Sequence, residues 1–155
     1  MRTFFQIAFL ALLLTTSAAN AQPNVWVQSN GPYGGFVNCL VKQENRILAG
    51  NFGGIFATSD QGTNWSRAFP SLGVQGIDDM AIAPDGTIIV ATNGNGILVS
   101  TDGGTTWNSG GGLEGSYPSQ VFVSRSGNYF ALASNVYKST DRGATWHLSG
   151  GASSP

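Results

Sequence analysis

The chain has 155 residues, of which 41% are hydrophobic and 10% are charged, and its formal net charge at pH 7 is −1. Ordinary globular proteins are about 25% charged, and a sequence this poor in Lys and Arg has no basic patch with which to bind nucleic acid. Its single cysteine, Cys39, excludes an internal disulfide, although an oxidising compartment would permit one.

Residues 1–21 have the features of a secretory signal peptide. Arg2 gives a positive start, Phe4–Leu14 is an uncharged apolar run, and Ala19-Asn20-Ala21 fits the small-x-small cleavage pattern. The run is too short to span a bilayer, which takes about 20 residues. We therefore expect cleavage after Ala21, export as a secreted or periplasmic protein, and no membrane insertion of the mature chain, residues 22–155.

The mature chain consists of short predicted strands. Residues 25–29, which include Trp26, predict the first strand. Three units follow, at about 34–69, 77–110 and 118–150, and each contains three β-branched or aromatic runs separated by Gly, Asn or Asp turns. Each unit then ends with an eight-residue motif and a fourth strand. No segment after the signal peptide shows a helical period.

The motif occupies residues 58–65, 100–107 and 139–146. In each copy the order is Ser or Thr, any residue, Asp, any residue, Gly, any residue, Thr or Asn, and Trp. The aspartates, at positions 60, 102 and 141, are 42 and 39 residues apart, and all four tryptophans of the chain follow the same period. A unit of four strands in about 40 residues has the size of one β-propeller blade.

The sequence therefore predicts an all-β protein, a partial β-propeller of three four-stranded antiparallel blades plus one extra N-terminal outer strand. Propellers usually close with about 4–8 blades, so three blades leave the ring open. We interpret the chain as the N-terminal part of a longer propeller or as a shortened gene product, and an open arc that dimerises is the alternative. Apolar surface on the two outermost blades also predicts self-association of the isolated chain.

The motifs resemble the Asp-box, also called the bacterial neuraminidase repeat, and the mature chain is similar to secreted Asp-box β-propellers. That superfamily includes sialidases, xyloglucan-cleaving glycoside hydrolases, sortilin-type receptors and photosystem II assembly factor-like proteins. In these proteins the box is a turn distant from the catalytic centre. The resemblance therefore implies structural roles for the box residues, which are Asp60, Gly62, Trp65, Asp102, Gly104, Trp107, Asp141, Gly143 and Trp146.

The residue types of the box also suit a hairpin turn. Asp accepts hydrogen bonds from backbone N–H groups of its own turn, Gly two residues later permits a positive φ, and Trp offers a large apolar ring to bury between blades. A calcium loop is the alternative, but calcium takes about 6–8 oxygen ligands, and each box has one carboxylate. We expect no metal, no cofactor, and buried rings at Trp65, Trp107 and Trp146.

No pair of carboxylates fits the arrangement of a glycosidase, which needs two of them about 5–9.5 Å apart. Asp78 and Asp79 are neighbours on a predicted strand, where consecutive side chains point to opposite faces. Sialidases have an arginine triad whose first member lies in an Arg-Ile-Pro motif, and Arg46-Ile47-Leu48 lacks the proline. These departures argue against glycosidase activity of this chain.

Two reactive residue types occur once each. His147 follows a box Trp on an outer strand with no Cys nearby, so we interpret it as solvated and not as a metal ligand or part of a dyad. Cys39 aligns with Met80 and Val121, which are core positions, so we interpret it as a buried small hydrophobe. We expect no catalytic residues in the chain.

Polar residues on the innermost strands and aromatic residues on neighbouring loops are the candidate ligand-binding residues. They share one face, opposite the boxes, and loops on such a scaffold often carry function. They are Asn38, Asp79, Gln120, Tyr33, Phe52 and Tyr117. The three polar residues take equivalent places at the starts of the innermost strands, so they could instead cap those strands.

The sequence favours a secreted, non-catalytic interaction or scaffold module that binds protein or glycan through this face. The second hypothesis is a fragment of an Asp-box glycoside hydrolase, of the sialidase or xyloglucanase type, that is catalytically incomplete. The third is an assembly factor for a membrane complex. The sequence does not decide which ligand is bound.

Overall fold

The computed structural model describes residues 30–69 and 76–150. The predicted signal peptide, the predicted strand 25–29 and residues 70–75 and 151–155 lie outside the described residues. The described ranges contain β1 (Val37–Gln43), β2 (Arg46–Asn51), β3 (Gly54–Thr58), β4 (Ser66–Arg67), β5 (Ile77–Ile82), β6 (Ile88–Thr92), β7 (Gly96–Ser100), β8 (Asn108–Gly110), β9 (Gln120–Val123), β10 (Tyr129–Leu132), β11 (Val136–Ser139) and β12 (His147–Leu148). Within these ranges no helix is long and apolar enough to cross a membrane.

The strands form three antiparallel sheets, each of four consecutive strands. We name them blade 1 (β1–β4), blade 2 (β5–β8) and blade 3 (β9–β12). This architecture confirms the all-β class and the three four-stranded blades predicted from the repeat. The central blade has neighbours on both sides, so β6 is buried along its whole length and is apolar except for its last residue.

Two apolar cores lie between consecutive blades. The core between blades 1 and 2 includes Leu48 and Ile55 of blade 1 and Val90 of blade 2. The core between blades 2 and 3 includes Ile89 of blade 2 and Ala131 of blade 3. The innermost strand of each blade contacts the innermost strand of the next, β1 against β5 and β5 against β9. The sheets therefore stand side by side around the inner strands, as propeller blades do.

The box tryptophans differ in burial, and the expectation that all three rings are buried is wrong for two of them. Trp146 is 2% exposed, and its ring N–H donates to the carbonyl of Gly143 at 3.1 Å. Trp65 and Trp107 are half-buried. Trp107 packs edge-to-face on Phe69, with ring centroids 5.9 Å apart.

The burial of Trp146 depends on the close passage of the end of the preceding blade. Gly111 forms a parallel bridge with Thr145, and a Cβ added at Gly110 would lie 2.6 Å from the ring nitrogen of Trp146. Gly110 therefore allows the backbone to pass directly over the ring, and Gly112 lies against the backbone of Trp146. The sequence shows the glycines but not which ring they cover.

The strand register corrects one alignment of the blades that was made from the sequence. In each blade, one residue of the innermost strand pairs with the second-strand residue that lies opposite the position two residues before the box. These pairs are Leu40 with Ala49, Met80 with Val90, and Val121 with Ala131. Leu40, and not Cys39, is therefore the equivalent of Met80 and Val121, and Cys39 is the equivalent of Asp79 and Gln120. Cys39 is half-buried.

The misalignment arises because the turn between the first two strands has two residues in blade 1, 44–45, and five in blade 2, 83–87. A β-bulge also lies at the same place at the start of these two innermost strands. The register shifts between Val37 and Cys39 in blade 1 and between Ile77 and Asp79 in blade 2. A bulge inserts one unpaired residue and turns the following side chains to the other face. Asn38 therefore corresponds to Asp78, and the proposed equivalence of Asn38 with Asp79 is wrong by one residue.

Candidate ligand-binding face

The two ends of the blades present different connections. The box face carries the Asp-boxes and the turns that join the first and second strands of each blade. The loop face carries the segments 30–36 and 111–119, which lead into β1 and β9, and the turns 52–53, 93–95 and 133–135, which join second and third strands. All the candidate aromatic residues lie on the loop face.

Each Asp-box is a hairpin turn closed by the same hydrogen bonds. In the third box Ser139 Oγ donates to Asp141 Oδ1 at 2.7 Å and accepts from the N–H of Gly143 at 2.8 Å. The carboxylate of Asp141 accepts from the N–H and the hydroxyl of Thr145 at 2.9 and 2.5 Å. Gly143 has a φ of 83°, which an L side chain rarely adopts.

The first two boxes repeat this pattern with Asp60 and Asp102. The box aspartates therefore hold the turn together and are not positioned to act on a ligand of the loop face.

These bonds lower the pKa of Asp60, Asp102 and Asp141 to about 2. The largest cause is the backbone N–H of Asn64 for Asp60, and the threonine hydroxyl of Thr106 or Thr145 for the other two. A carboxyl group whose pKa is lower in the folded state contributes stability that is present above its unfolded pKa, about 3.9, and is lost as the pH falls through the folded pKa.

We therefore expect the free energy of unfolding to fall between about pH 4 and pH 2, as urea titrations would measure it. Thr145→Val removes the largest cause of the shift at Asp141, so the pKa of that carboxyl should rise in NMR titration. The matched control is Thr140→Val, at an exposed position of the same turn. Stability that is constant from pH 4 to pH 2 would contradict the role assigned to the boxes.

Exposed aromatic side chains mark the blade junctions on the loop face. Tyr33, Phe36, Phe52 and Tyr117 are between 55% and 84% exposed. Phe36 and Tyr117 each lie three residues before the equivalent positions Cys39 and Gln120, so they lead into blades 1 and 3 in the same way. The sequence predicted three of these aromatic residues. It missed Phe36, which its place before β1 could have identified.

In blade 2 the corresponding position is a glycine, and an aromatic ring from blade 1 covers it. The ring of Phe52 lies 3.0 Å from the place where a Cβ of Gly76 would be, and the ring of Tyr117 lies 3.3 Å from that of Gly94. Each of these glycines has a positive φ. An aromatic residue therefore stands at the junction of blades 1 and 2 and at the junction of blades 2 and 3.

The loop face has little charge. Its described segments contain no Lys or Arg, and Glu114 is their one acidic residue. The carboxylate of Glu114 accepts from the N–H of Gly112 at 2.8 Å. Asn51 holds the first segment in place, because its side-chain amide donates to the carbonyl of Tyr33 at 3.0 Å and accepts from the N–H of Gly53 at 2.7 Å.

The polar residues of the innermost strands bind neighbouring blades. The side-chain amide of Asn38 donates to the carbonyl of Ile77 at 2.8 Å. One carboxylate oxygen of Asp79 accepts from the N–H of Val121 at 3.0 Å, and the other accepts from its own neighbour, Met80. Gln120 is exposed at the start of β9. These contacts support the interpretation that the polar residues cap and join the strands.

Cys39, Asp78 and His147 have different surroundings. Burial, with a smaller contribution from the charge of Asp79, raises the pKa of the Cys39 thiol to about 12, so the thiol stays protonated. Burial also raises the pKa of Asp78, which lies in the bulge of β5. His147 is exposed on β12. Among the described residues, no group of three or more His, Cys, Asp or Glu side chains could hold a metal ion.

Grooves open on the box face between blades. One of about 400 Å³ is lined by Gln43, Arg46 and Asp102, and another of about 380 Å³ by Arg125 and Tyr129. Polar contacts tie their walls together: Arg46 donates to the carbonyl of Gly103 at 2.8 Å, and Arg142 lies 3.2 Å from Asp85. The grooves are therefore part of the blade junctions, whereas the loop face offers an open aromatic surface.

A family model described as BNR/Asp-box repeat matches residues 98–109 and 137–148, which contain the second and third boxes. No curated protein sequence matches the chain. The GH74 xyloglucanase of Xanthomonas campestris is similar in structure, with a TM-score of 0.57 at 20% identity over 67% of this chain and 20% of that one.

Two other solved structures are similar. The extracellular domain of a putative one-component system of B. thetaiotaomicron has a TM-score of 0.65 at 11% identity, over 79% of this chain and 18% of that one. YCF48 bound to a D1 peptide has a TM-score of 0.51 at 21% identity, over 72% of this chain and 39% of that one. The chain thus spans less than half the length of each of these structures. The chain contains Asp-box repeats, and its three blades have the fold of part of a β-propeller.

Proposed function

We propose that this chain is a secreted, non-catalytic interaction module whose loop face binds neutral glycan. The observation that carries the proposal is the set of exposed aromatic residues at successive blade junctions. Aromatic rings combine large apolar area with restricted side-chain freedom, and exposed apolar surface of this kind marks interaction sites. The features of a signal peptide in residues 1–21 support secretion.

The chemistry of the surface favours a neutral ligand. A site for phosphate, sulfate or nucleic acid would be built with Arg or Lys, and the described loop segments have neither. Sugar rings present C–H groups that pack on aromatic faces, and hydroxyl groups that amides and carboxylates can bind. The likeness to a xyloglucanase, at 20% identity, agrees with a fold that suits glycans but does not carry the substrate over.

Calorimetric titration of the purified chain with soluble xyloglucan and with a charged polysaccharide, polygalacturonate, tests this proposal. We expect binding to xyloglucan and none to polygalacturonate. Tyr117→Ala should weaken binding about 2- to 10-fold, a loss of about 0.4–1.4 kcal/mol of binding free energy. Phe36→Ala should do the same.

The matched control is Leu148→Ala, which removes an exposed apolar side chain from outer strand β12. It should leave the affinity unchanged. Release of reducing sugar, measured in the same samples, separates binding from hydrolysis, and we expect none. Equal affinity of Tyr117→Ala and the unchanged chain would refute a role for the aromatic surface, and turnover would favour the hydrolase hypothesis.

Protein binding through the same face is the second candidate function. The structure of YCF48 was determined with a D1 peptide bound, so a propeller of similar fold can bind a protein segment. Tyrosine is enriched at protein interfaces, because its ring is apolar and its hydroxyl is polar. Failure to bind any neutral glycan, together with capture of a peptide that Tyr117→Ala abolishes, would favour this candidate.

A further inference from the structure

The turn between β6 and β7 contains two successive asparagine–glycine steps, Asn93-Gly94 and Asn95-Gly96. In such a step the backbone nitrogen of the glycine can attack the side-chain amide of the preceding asparagine, because glycine has no Cβ to obstruct the approach. The residue that follows the asparagine is the same in both steps. A difference in reactivity between Asn93 and Asn95 would therefore arise mainly from the structure of the turn.

The backbone around Asn95 is fixed by hydrogen bonds. The N–H of Gly96, whose nitrogen would have to attack the side chain of Asn95, donates to the carbonyl of Ser116 at 3.2 Å. The hydroxyl of Thr92 accepts from the N–H of Asn95 at 3.2 Å and donates to the carbonyl of Gly96 at 2.7 Å. Thr92 and Gly96 are both buried. The nitrogen of Gly96 is therefore available for attack only when this part of the turn opens locally.

The backbone at Gly94 has no such restraint. Gly94 is half-buried, with a φ of 98°, and within residues 30–69 and 76–150 its N–H donates to no acceptor. The side-chain amide of Asn93 likewise has no hydrogen-bond partner in these two ranges, although the backbone N–H of Asn93 donates to the carbonyl of Gly76 at 3.1 Å. The attacking nitrogen and the amide that it would attack are thus adjacent and partly accessible to solvent.

We propose that Asn93 is a site of spontaneous deamidation and that the turn protects Asn95 from the same reaction. The backbone nitrogen of Gly94 forms a bond to Cγ of Asn93, and its proton leaves with the side-chain nitrogen as ammonia. Water then opens the resulting succinimide ring at one carbonyl to give aspartate, or at the other to give isoaspartate. The reaction needs water and no other reactant.

Deamidation changes the junction between blades 2 and 3 on the loop face. The ring of Tyr117 lies 3.3 Å from the place where a Cβ of Gly94 would be, so the new carboxylate forms in the residue next to this contact. The described loop segments contain no Lys or Arg with which it could pair. Isoaspartate also adds one carbon atom to the backbone of the turn. The modification thus alters both charge and shape beside Tyr117, whatever ligand this face binds.

Peptide mapping by mass spectrometry tests the proposal on the purified full chain. The folded chain is incubated in mildly alkaline buffer made with water enriched in heavy oxygen, which labels only the carboxyl groups formed during the incubation. Fragment ions of the tryptic peptide from Ala68 to Arg125 separate the two sites. We expect Asn93 to convert at least about 10-fold faster than Asn95, which corresponds to a difference of about 1.4 kcal/mol in activation free energy.

A single substitution tests the source of the protection. Thr92→Val removes the hydroxyl that fixes the backbone on both sides of Asn95 and keeps the branched shape of the side chain. In a variant whose circular dichroism shows the native fold, Asn95 should convert faster, and the ratio of the two rates should narrow. An unchanged rate at Asn95 would overturn the protective role of this hydroxyl.

Denaturation separates the effect of the structure from that of the sequence. In guanidinium chloride the hydrogen bonds of the turn are lost, so Asn93 and Asn95 should convert at similar rates. Equal rates in the folded chain, or faster conversion of Asn95, would overturn the proposal. A preference for Asn93 that persists undiminished in denaturant would also overturn it, because the sequence and not the turn would then set the two rates.

Discussion

Replacing Trp146 with alanine should lower the free energy of unfolding by about 3–5 kcal/mol, the range for removing a large aromatic side chain from a core. The ring is 2% exposed, belongs to the core between blades 2 and 3, and donates its N–H to the carbonyl of Gly143. The replacement would leave a cavity beside Gly110 and remove one hydrogen bond. Denaturant unfolding followed by circular dichroism measures the loss.

Two matched variants separate the causes. Trp146→Phe keeps an apolar ring and removes the N–H donor, so it should lower the free energy of unfolding by less than Trp146→Ala does. Trp107→Ala removes the same side chain from the equivalent place in blade 2, where the ring is half-buried and its N–H has no partner among the described residues. We expect its cost to be clearly smaller. Equal losses in the free energy of unfolding at the two positions would show that the burial of each tryptophan in this structure does not determine its contribution to stability.

The fold was predictable because one repeat fixes several levels of structure at once. The boxes recur every 39 to 42 residues, each must be a turn, and only short strands fit between them. The resulting four strands per unit match blades 1, 2 and 3 in number and order. The hydrophobic pattern adds little to the prediction of the central blade, because a strand covered on both faces, such as β6, shows no alternation of apolar and polar residues.

The site was less predictable, because the place of each side chain in its blade changes when the strand register changes by one residue. Cys39 takes the place of Asp79 because the connections between strands differ in length from blade to blade, and the sequence does not show which strand residues pair across them. Whether a ring is exposed depends on what passes over it: the backbone at Gly110 covers the ring of Trp146, whereas Phe52 itself covers Gly76. Such pairings join residues distant in sequence, and a single sequence does not contain them.

The two ends of each blade differ in how their polar groups and aromatic rings are placed. On the box face, hydrogen bonds within a single turn satisfy the carboxylate of each Asp, so that face is fixed locally. On the loop face, hydrogen bonds join separate segments, for example from the N–H of Gly96 to the carbonyl of Ser116 and from Asn51 to the carbonyl of Tyr33, while the aromatic rings stay exposed. The exposed rings at the loop end of the scaffold agree with the proposed binding surface.

Gly96→Ala should be the most damaging glycine replacement on the loop face. Gly96 has a φ of 71°, and a Cβ there would lie 2.1 Å from the carbonyl oxygen of Leu113. That oxygen belongs to the backbone and also accepts from the N–H of Ser116 at 3.1 Å, so the whole segment would have to move. A left-handed alanine costs about 1–2 kcal/mol and overpacking about 1–3 kcal/mol, which together predict a loss of about 2–5 kcal/mol.

Gly115→Ala is the matched control. Gly115 has a φ of 68°, and nothing lies within 4 Å of its Cβ position, so only the conformational cost of about 1–2 kcal/mol should remain. Denaturant unfolding of both variants thus isolates the clash, and equal losses would place the whole effect in the backbone angle. Because the displaced segment leads to Tyr117, Gly96→Ala should also weaken glycan binding under folding conditions. Gly115→Ala lies in that segment too but forces no shift of Leu113, so it should preserve binding better.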